Sequence, residues 1–198
     1  VQLICLGLGF LIPNYAQLVS GMNAFAAGCL LLPGCLLGAA LAPVSGRILD
    51  RFGARKPILL GNVAIVAAAI CFGLFAKTLT APLIIAIYIC FAFGQGCTMG
   101  NSMTNGLRQL PAEWNADGNA VINTLQQLAG AVGTAVVSTM VASAQARMEG
   151  DFVLGTMLGS QSAFLLLAVL ALGVLASSLG AFYLANRQRS LRPTAKMQ

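Results

Sequence analysis

The chain has 198 residues, of which 58% are hydrophobic and only 8% charged, with a formal net charge of +6 and a mean hydropathy of +0.85. A soluble domain carries about 25% charged residues to cover its surface, so the composition excludes an ordinary soluble fold and points to an all-α integral membrane protein. A transmembrane barrel would read as ~10-residue segments of alternating polarity, and the long continuous apolar runs exclude that too.

A helical span needs ~20 mostly apolar residues, and six such stretches follow one another along the chain. The first covers about residues 1–15. It opens inside an apolar run, with no charged segment of the kind that begins a secretory signal, and is expected to lack its beginning. The second covers about residues 24–44. Pro33 and Pro43 are expected to bend it, and Gly34 and Gly38 form a G-x-x-x-G that reads as a helix-packing device. The third and fourth cover about residues 58–76 and 82–103, and the fifth and sixth about residues 119–142 and 162–185.

The charge is distributed by connection. Arg47, Arg51, Arg55 and Lys56 follow the second stretch, Arg108 follows the fourth, and Arg187, Arg189, Arg192 and Lys196 follow the sixth. The alternate connections hold only Lys77 and Arg147. By the positive-inside rule the nine-cation side is cytoplasmic, which puts the tail over residues 186–198 in the cytoplasm. The cations sit at the ends of apolar runs, without basic-aromatic interleaving or a groove-reading motif, so a nucleic-acid partner is not indicated. The partner is the lipid bilayer.

The six cysteines lie inside apolar runs, with no C-x-x-C and no histidine. They read as small hydrophobes, and neither a zinc site nor any other metal or cofactor is expected. An enzyme is not indicated either: there is no histidine, no intramembrane Ser-Lys or paired-Asp set, and no phosphate-binding G-x-x-x-x-G-K-[ST].

Every Asp, Glu, Lys and Arg falls in an expected loop, helix end or tail, so these stretches offer no ionisable proton relay of the kind a membrane interior would single out. Uncharged polar residues carry the signal instead. In the fifth stretch Asn119, Asn123, Gln126, Gly130 and Gly133 share one helix face at about 3.6 residues per turn. Unpaired amides in hydrocarbon cost several kcal/mol, so that face is expected to meet a neighbouring helix or a watery cavity. Gly130 and Gly133 read as packing residues, and Asn123 and Gln126 as cavity candidates. The fourth stretch adds Gln95, Thr98, Met99 and Ser102, with Phe93 and Met99 as large adaptable surfaces. Trp114 reads as an interfacial anchor.

One stretch, GRILDRFGARKP over residues 46–57, concentrates charge between apolar runs. Asp50 is expected to accept backbone N–H groups at a neighbouring helix start. Gly46 permits close helix approach, Gly53 permits a positive φ, and Pro57 suits a first turn. The pattern formed by Gly46, Asp50, Arg51, Gly53, Arg55 and Lys56 resembles the cytoplasmic loop motif of the major facilitator superfamily. There it joins the second and third helices of each half and steadies the outward-facing state.

Tyr15 and Gln17, followed by Leu31, Leu32, Pro33 and Gly34, resemble the region of the 14-helix drug/proton antiporter family where one span ends near Y-x-Q and the next contains L-L-P-G. Residues 110–137 resemble that family's penultimate helix and the loop before it. The resemblance implies that residues 1–198 form the C-terminal six-helix bundle, one half of a major-facilitator-type fold, in a multi-pass protein of the cell membrane. It implies proton-coupled efflux of a small lipophilic drug by alternating access, with a missing N-terminal bundle as partner. It also implies a substrate cavity to which Gln126, Asn123, Gln95, Met99, Phe93 and Gln17 contribute. Gln126 stands where the family often has arginine, and the residues on which proton coupling turns are expected in the missing half. Two other functions remain open from sequence: a metabolite transporter of the same superfamily, and a non-transporting membrane fragment or scaffold that needs a partner bundle.

Overall fold

The computed structural model describes residues 1–148 and 150–190, without the side chains of residues 42, 45, 48–50, 52, 185, 186 and 188–190. The described residues are helical almost throughout. The helices are α1 (Gln2–Leu18), α2 (Ala24–Cys29), α3 (Leu32–Phe52), α4 (Arg55–Phe75), α5 (Ala81–Leu107), α6 (Asn115–Arg147) and α7 (Phe152–Ser190), with a 3-10 turn, Ala112–Trp114, before α6. Five stretches, in α2–α3 and in α4 to α7, are long and apolar enough to cross a membrane, while α1 is apolar but shorter. Each of the six expected stretches therefore falls on helix.

The second stretch is not one helix. Asn23 caps α2, its Oδ1 accepting from the Ala26 N–H at 2.7 Å, and helix breaks at Leu30 and Leu31 before α3 begins. Pro33 explains the break, because it has no N–H to give the Cys29 carbonyl and its ring crowds the preceding turn. Pro43, by contrast, is carried inside α3.

The expected loop over residues 46–57 is also mostly helix. α3 continues to Phe52 and α4 starts at Arg55. Gly53 makes this sharp connection with φ of 76°, a left-handed conformation that glycine adopts without steric penalty. The sixth stretch starts ten residues earlier than expected, at Phe152. Asp151 is the reason: its Oδ1 accepts from the Leu154 N–H at 2.9 Å and caps the helix. The polar residues that read as loop are absorbed by packing. Thr156 is fully buried and accepts from Gln145 Nε2 at 2.7 Å.

α4 packs on α5 and α7, α3 on α5, and α1 and α7 on α6. The largest buried side chains come from α1, α4, α5, α6 and α7 and include Tyr15, Phe72, Phe91, Phe164 and Leu167. Phe72 and Phe164 stack with ring centroids 5.2 Å apart, joining α4 to α7. Between apolar helices in lipid, close packing and interhelical hydrogen bonds hold the bundle more than burial from water does. Tyr15 supplies one such bond, its hydroxyl donating to the Ala76 carbonyl at 2.7 Å across α1 and α4.

Candidate functional site

The site begins with glycine. α3 and α5 lie side by side, with Gly34 against Tyr88, Gly38 against Ala92 and Gly96 against Leu41. At Gly34 the helices touch: an added Cβ would stand 2.5 Å from Tyr88 Cδ1. Further along they leave room. Among the described residues, the nearest neighbour of a Cβ at Gly38 would be the Ala92 carbonyl oxygen at 3.9 Å, and at Gly46 or Gly100 nothing would lie within 4 Å.

Missing side chains on both walls thus open a cavity of about 500 Å³. Gly34, Cys35, Gly38 and Gly46 line it from α3, and Tyr88, Gln95, Met99 and Asn101 are among those that line it from α5. Cys5 enters from α1. A volume of about 300–1,000 Å³ suits a drug-sized ligand.

Two polar groups of this wall are paired with sulfur, while Asn101 Nδ2 donates to the Cys97 carbonyl at 2.8 Å. Gln95 Nε2 donates to Cys5 Sγ at 2.9 Å. The Tyr88 hydroxyl and the Cys35 thiol are 3.8 Å apart, and either can donate. Cys35 is exposed on α3, whereas Cys5 is half-buried. Tyr88, Gln95 and Met99 share a face of α5, since positions about seven and eleven residues apart return to the same side of a helix. No Asp, Glu, Lys or Arg lines the cavity among the described residues.

The cavity candidates named from sequence separate. Gln95 and Met99 line the cavity. Phe93 is half-buried on α5 and lies off the cavity wall, and Gln17 is exposed near the end of α1 with its Nε2 donating to the Pro13 carbonyl at 3.2 Å. Asn123 is exposed and donates to Asn119 Oδ1 at 3.2 Å, while Gln126 is half-buried. On α6 Gly130 lies beside Gln2 and Leu6, and Gly133 beside Leu3. Gln126 and Asn123 therefore sit about one and two turns beyond the level of the first residues of α1. A Cβ at Gly133 would run into the Leu3 carbonyl oxygen, so α1 and α6 approach backbone to backbone there.

Of the charged motif, Gly46, Asp50 and Arg51 lie in the last turns of α3, Gly53 forms the break, and Arg55 and Lys56 open α4. Gly46 faces the cavity rather than a close helix contact. The Asp50 side chain, and with it the expected hydrogen bonds to a helix start, lies outside the described residues.

Sequence reasoning missed Cys5, Cys35 and Tyr88. The cysteines read as small hydrophobes, and Tyr88 sits in an apolar run. Its spacing from Gln95 on one helix face was the available signal.

A family model described as the Major Facilitator Superfamily matches residues 1–134, from α1 into α6. Lincomycin resistance protein LmrB of Bacillus subtilis (strain 168) is 36% identical over 144 residues, 73% of this chain and 30% of that protein. Multidrug resistance protein B homolog of Mycobacterium tuberculosis (strain ATCC 25618 / H37Rv) is 30% identical over 138 residues, 68% of this chain and 25% of that protein. Multidrug efflux pump LfrA of Mycolicibacterium smegmatis is 27% identical over 135 residues, 68% of this chain and 27% of that protein. The chain spans less than a third of each of these relatives. With a helical bundle of membrane-crossing length and a family match over most of its residues, the chain belongs to the major facilitator superfamily.

Proposed function

We propose that residues 1–198 are the C-terminal six-helix bundle of a proton-coupled exporter of lipophilic drugs. The bundle works by alternating access against an N-terminal bundle supplied elsewhere in the complete transporter. The cavity between α1, α3 and α5 is its share of the substrate path, and the charged tail faces the cytoplasm of a cell-membrane protein. The observation that carries this reading is the cavity itself, of about 500 Å³ and lined by glycines, apolar groups and a few uncharged polar side chains, in a chain whose relatives are named for lincomycin resistance and multidrug efflux. In this reading the segment Gly46, Asp50, Arg51, Gly53, Arg55 and Lys56 acts as a conformational switch. It couples α3 to α4 through a single left-handed glycine, so α3 can swing about that point.

The test is reconstitution of the complete transporter in proteoliposomes, with lincomycin and ethidium as probes and an imposed proton gradient. Gradient-dependent movement of either probe is expected. Equal flux with and without the gradient would sink the proton-coupled reading, and movement of neither probe would favour a metabolite carrier of the same superfamily. Asp50→Asn is expected to lower transport by at least about tenfold at unchanged abundance, as loss of a charge-assisted hydrogen bond worth about 1.5–3 kcal/mol implies.

A further inference from the structure

Two hydrogen-bonding groups on the cavity wall, the Gln95 amide and the Tyr88 hydroxyl, are paired with thiol sulfur, whereas the Asn101 amide on the same wall donates to the Cys97 carbonyl. A thiol sulfur accepts poorly compared with a carbonyl, ether or hydroxyl oxygen. Yet the Gln95 amide donates to Cys5 Sγ, and among the described residues the Tyr88 hydroxyl has only the Cys35 thiol, at 3.8 Å. Strong donors in a low-dielectric interior are ordinarily matched with strong acceptors, because an unmatched group there is costly. Here the matching is poor at two places in one cavity, and both donors come from one face of α5, separated by about two turns or ~10 Å.

We propose that Tyr88 and Gln95 recognise hydrogen-bond acceptor oxygens of the substrate, and that Cys35 and Cys5 hold these two donors in reserve while the cavity is empty. The inference rests on the cavity being the substrate path. It deepens that reading by naming the substrate class: an amphipathic molecule with carbonyl, ether or hydroxyl oxygens. A ligand oxygen gains a stronger hydrogen bond than the thiol had, and the thiol loses little when released, so the exchange favours binding. The glycine wall of α3 supplies the room, and Met99, about one turn beyond Gln95, supplies a polarisable apolar surface for the rest of the ligand. The wall carries no Asp, Glu, Lys or Arg among the described residues, so the pattern of acceptors rather than net charge decides what this bundle holds.

The thiols make the idea testable in an unusual direction. A serine hydroxyl is a stronger acceptor than a thiol at nearly the same size. Cys5→Ser and Cys35→Ser therefore tie the donors down and compete with the ligand, whereas Cys5→Ala and Cys35→Ala release them.

The experiment measures binding of two probes to the complete transporter in detergent. Lincomycin offers amide and hydroxyl oxygens, while tetraphenylphosphonium offers no hydrogen-bonding atom. Gln95→Leu and Tyr88→Phe are each expected to weaken lincomycin by about five- to tenfold, the value of one net hydrogen bond, and to change tetraphenylphosphonium by less than about twofold. Both Cys→Ser variants should weaken lincomycin several-fold, and both Cys→Ala variants should tighten it. Equal losses for both probes in Gln95→Leu and Tyr88→Phe, or Cys→Ser variants that behave as Cys→Ala, overturn the donor assignment while leaving the cavity as a substrate site. Wild-type protein that binds neither probe overturns the site reading on which the proposal stands.

Discussion

Gly61 of α4 and Gly94 of α5 stand backbone to backbone. A Cβ added to Gly61 would lie 2.6 Å from the Gly94 carbonyl oxygen, and one added to Gly94 would lie 2.5 Å from the Gly61 carbonyl oxygen. Neither carbonyl can retreat without bending its own helix. The contact fixes α5 against α4, so the cavity on the opposite side of α5 has one rigid wall. Gly61→Ala or Gly94→Ala is expected to destabilise the complete transporter by about 1–3 kcal/mol, the usual penalty for overpacking. Gly100→Ala, with nothing within 4 Å of its Cβ among the described residues, should be neutral. Thermal aggregation in detergent measures both, and a stable Gly94→Ala would show that the two helices are not in contact.

The same glycine chemistry has the opposite meaning on the cavity side of α5. Gly38 leaves space at its own Cβ position, where the one neighbour among the described residues is at 3.9 Å, although its Cα lies 3.8 Å from the Cβ position of Gly96. Gly38→Ala should leave both stability and transport near wild type. Gly38→Leu adds a side chain to a cavity of about 500 Å³, and transport of bulky probes is expected to fall by at least about tenfold, with melting temperature little changed because the added atoms enter a void. A parallel loss of stability would mean the void is already filled.

Tyr15 ties α1 to α4 through the hydrogen bond from its hydroxyl to the Ala76 carbonyl. Tyr15 is 1% exposed, so water does not replace the donor when it is removed. Tyr15→Phe should cost about 1–2 kcal/mol through the carbonyl left unpaired. An unchanged melting temperature for this variant would mean the carbonyl finds another donor.

Asn62 is buried in α4 at 1% exposure and donates to Ser178 Oγ of α7 at 2.8 Å. Its Oδ1 has no partner among the described residues, while Ser178 also donates to the Val174 carbonyl at 2.9 Å. Replacing an incompletely satisfied amide by an apolar group of similar size is nearly neutral or favourable. Asn62→Leu is therefore expected to keep or raise stability by up to about 1 kcal/mol. A loss above ~2 kcal/mol, measured by the same aggregation assay, would reveal a donor to Oδ1.

Much of the bundle was legible from hydropathy, because a membrane span must be long, apolar and hydrogen-bonded within itself. The helix boundaries were less so, and for local reasons. Gly155, Thr156, Gly159 and Ser160 read as loop, but in α7 the two glycines let α6 approach, with Cβ positions 2.8 Å from Gln145 Cα and Val141 Cα. The cap at Asp151 was the overlooked start signal. Pro33 announced a bend and produced a full break. The site was half legible. Gln95 and Met99 stood out as polar or adaptable residues in an apolar stretch, whereas Cys5, Cys35 and Tyr88 did not, because a thiol and a phenol pass for apolar until another helix is placed beside them. Gln126 and Asn123 have the right chemistry for a cavity, but they belong to α6, and the cavity between α3 and α5 is lined by residues of α1, α3 and α5.

The substrate path is tested most directly by the reactivity of Cys35, which is exposed and lines the cavity. In a complete transporter retaining only this cysteine, the rate of N-ethylmaleimide labelling should fall several-fold at saturating lincomycin, and by a similar factor with any other transported probe. A labelling rate that does not change at saturating substrate would contradict the assignment of the α1–α3–α5 cavity to transport.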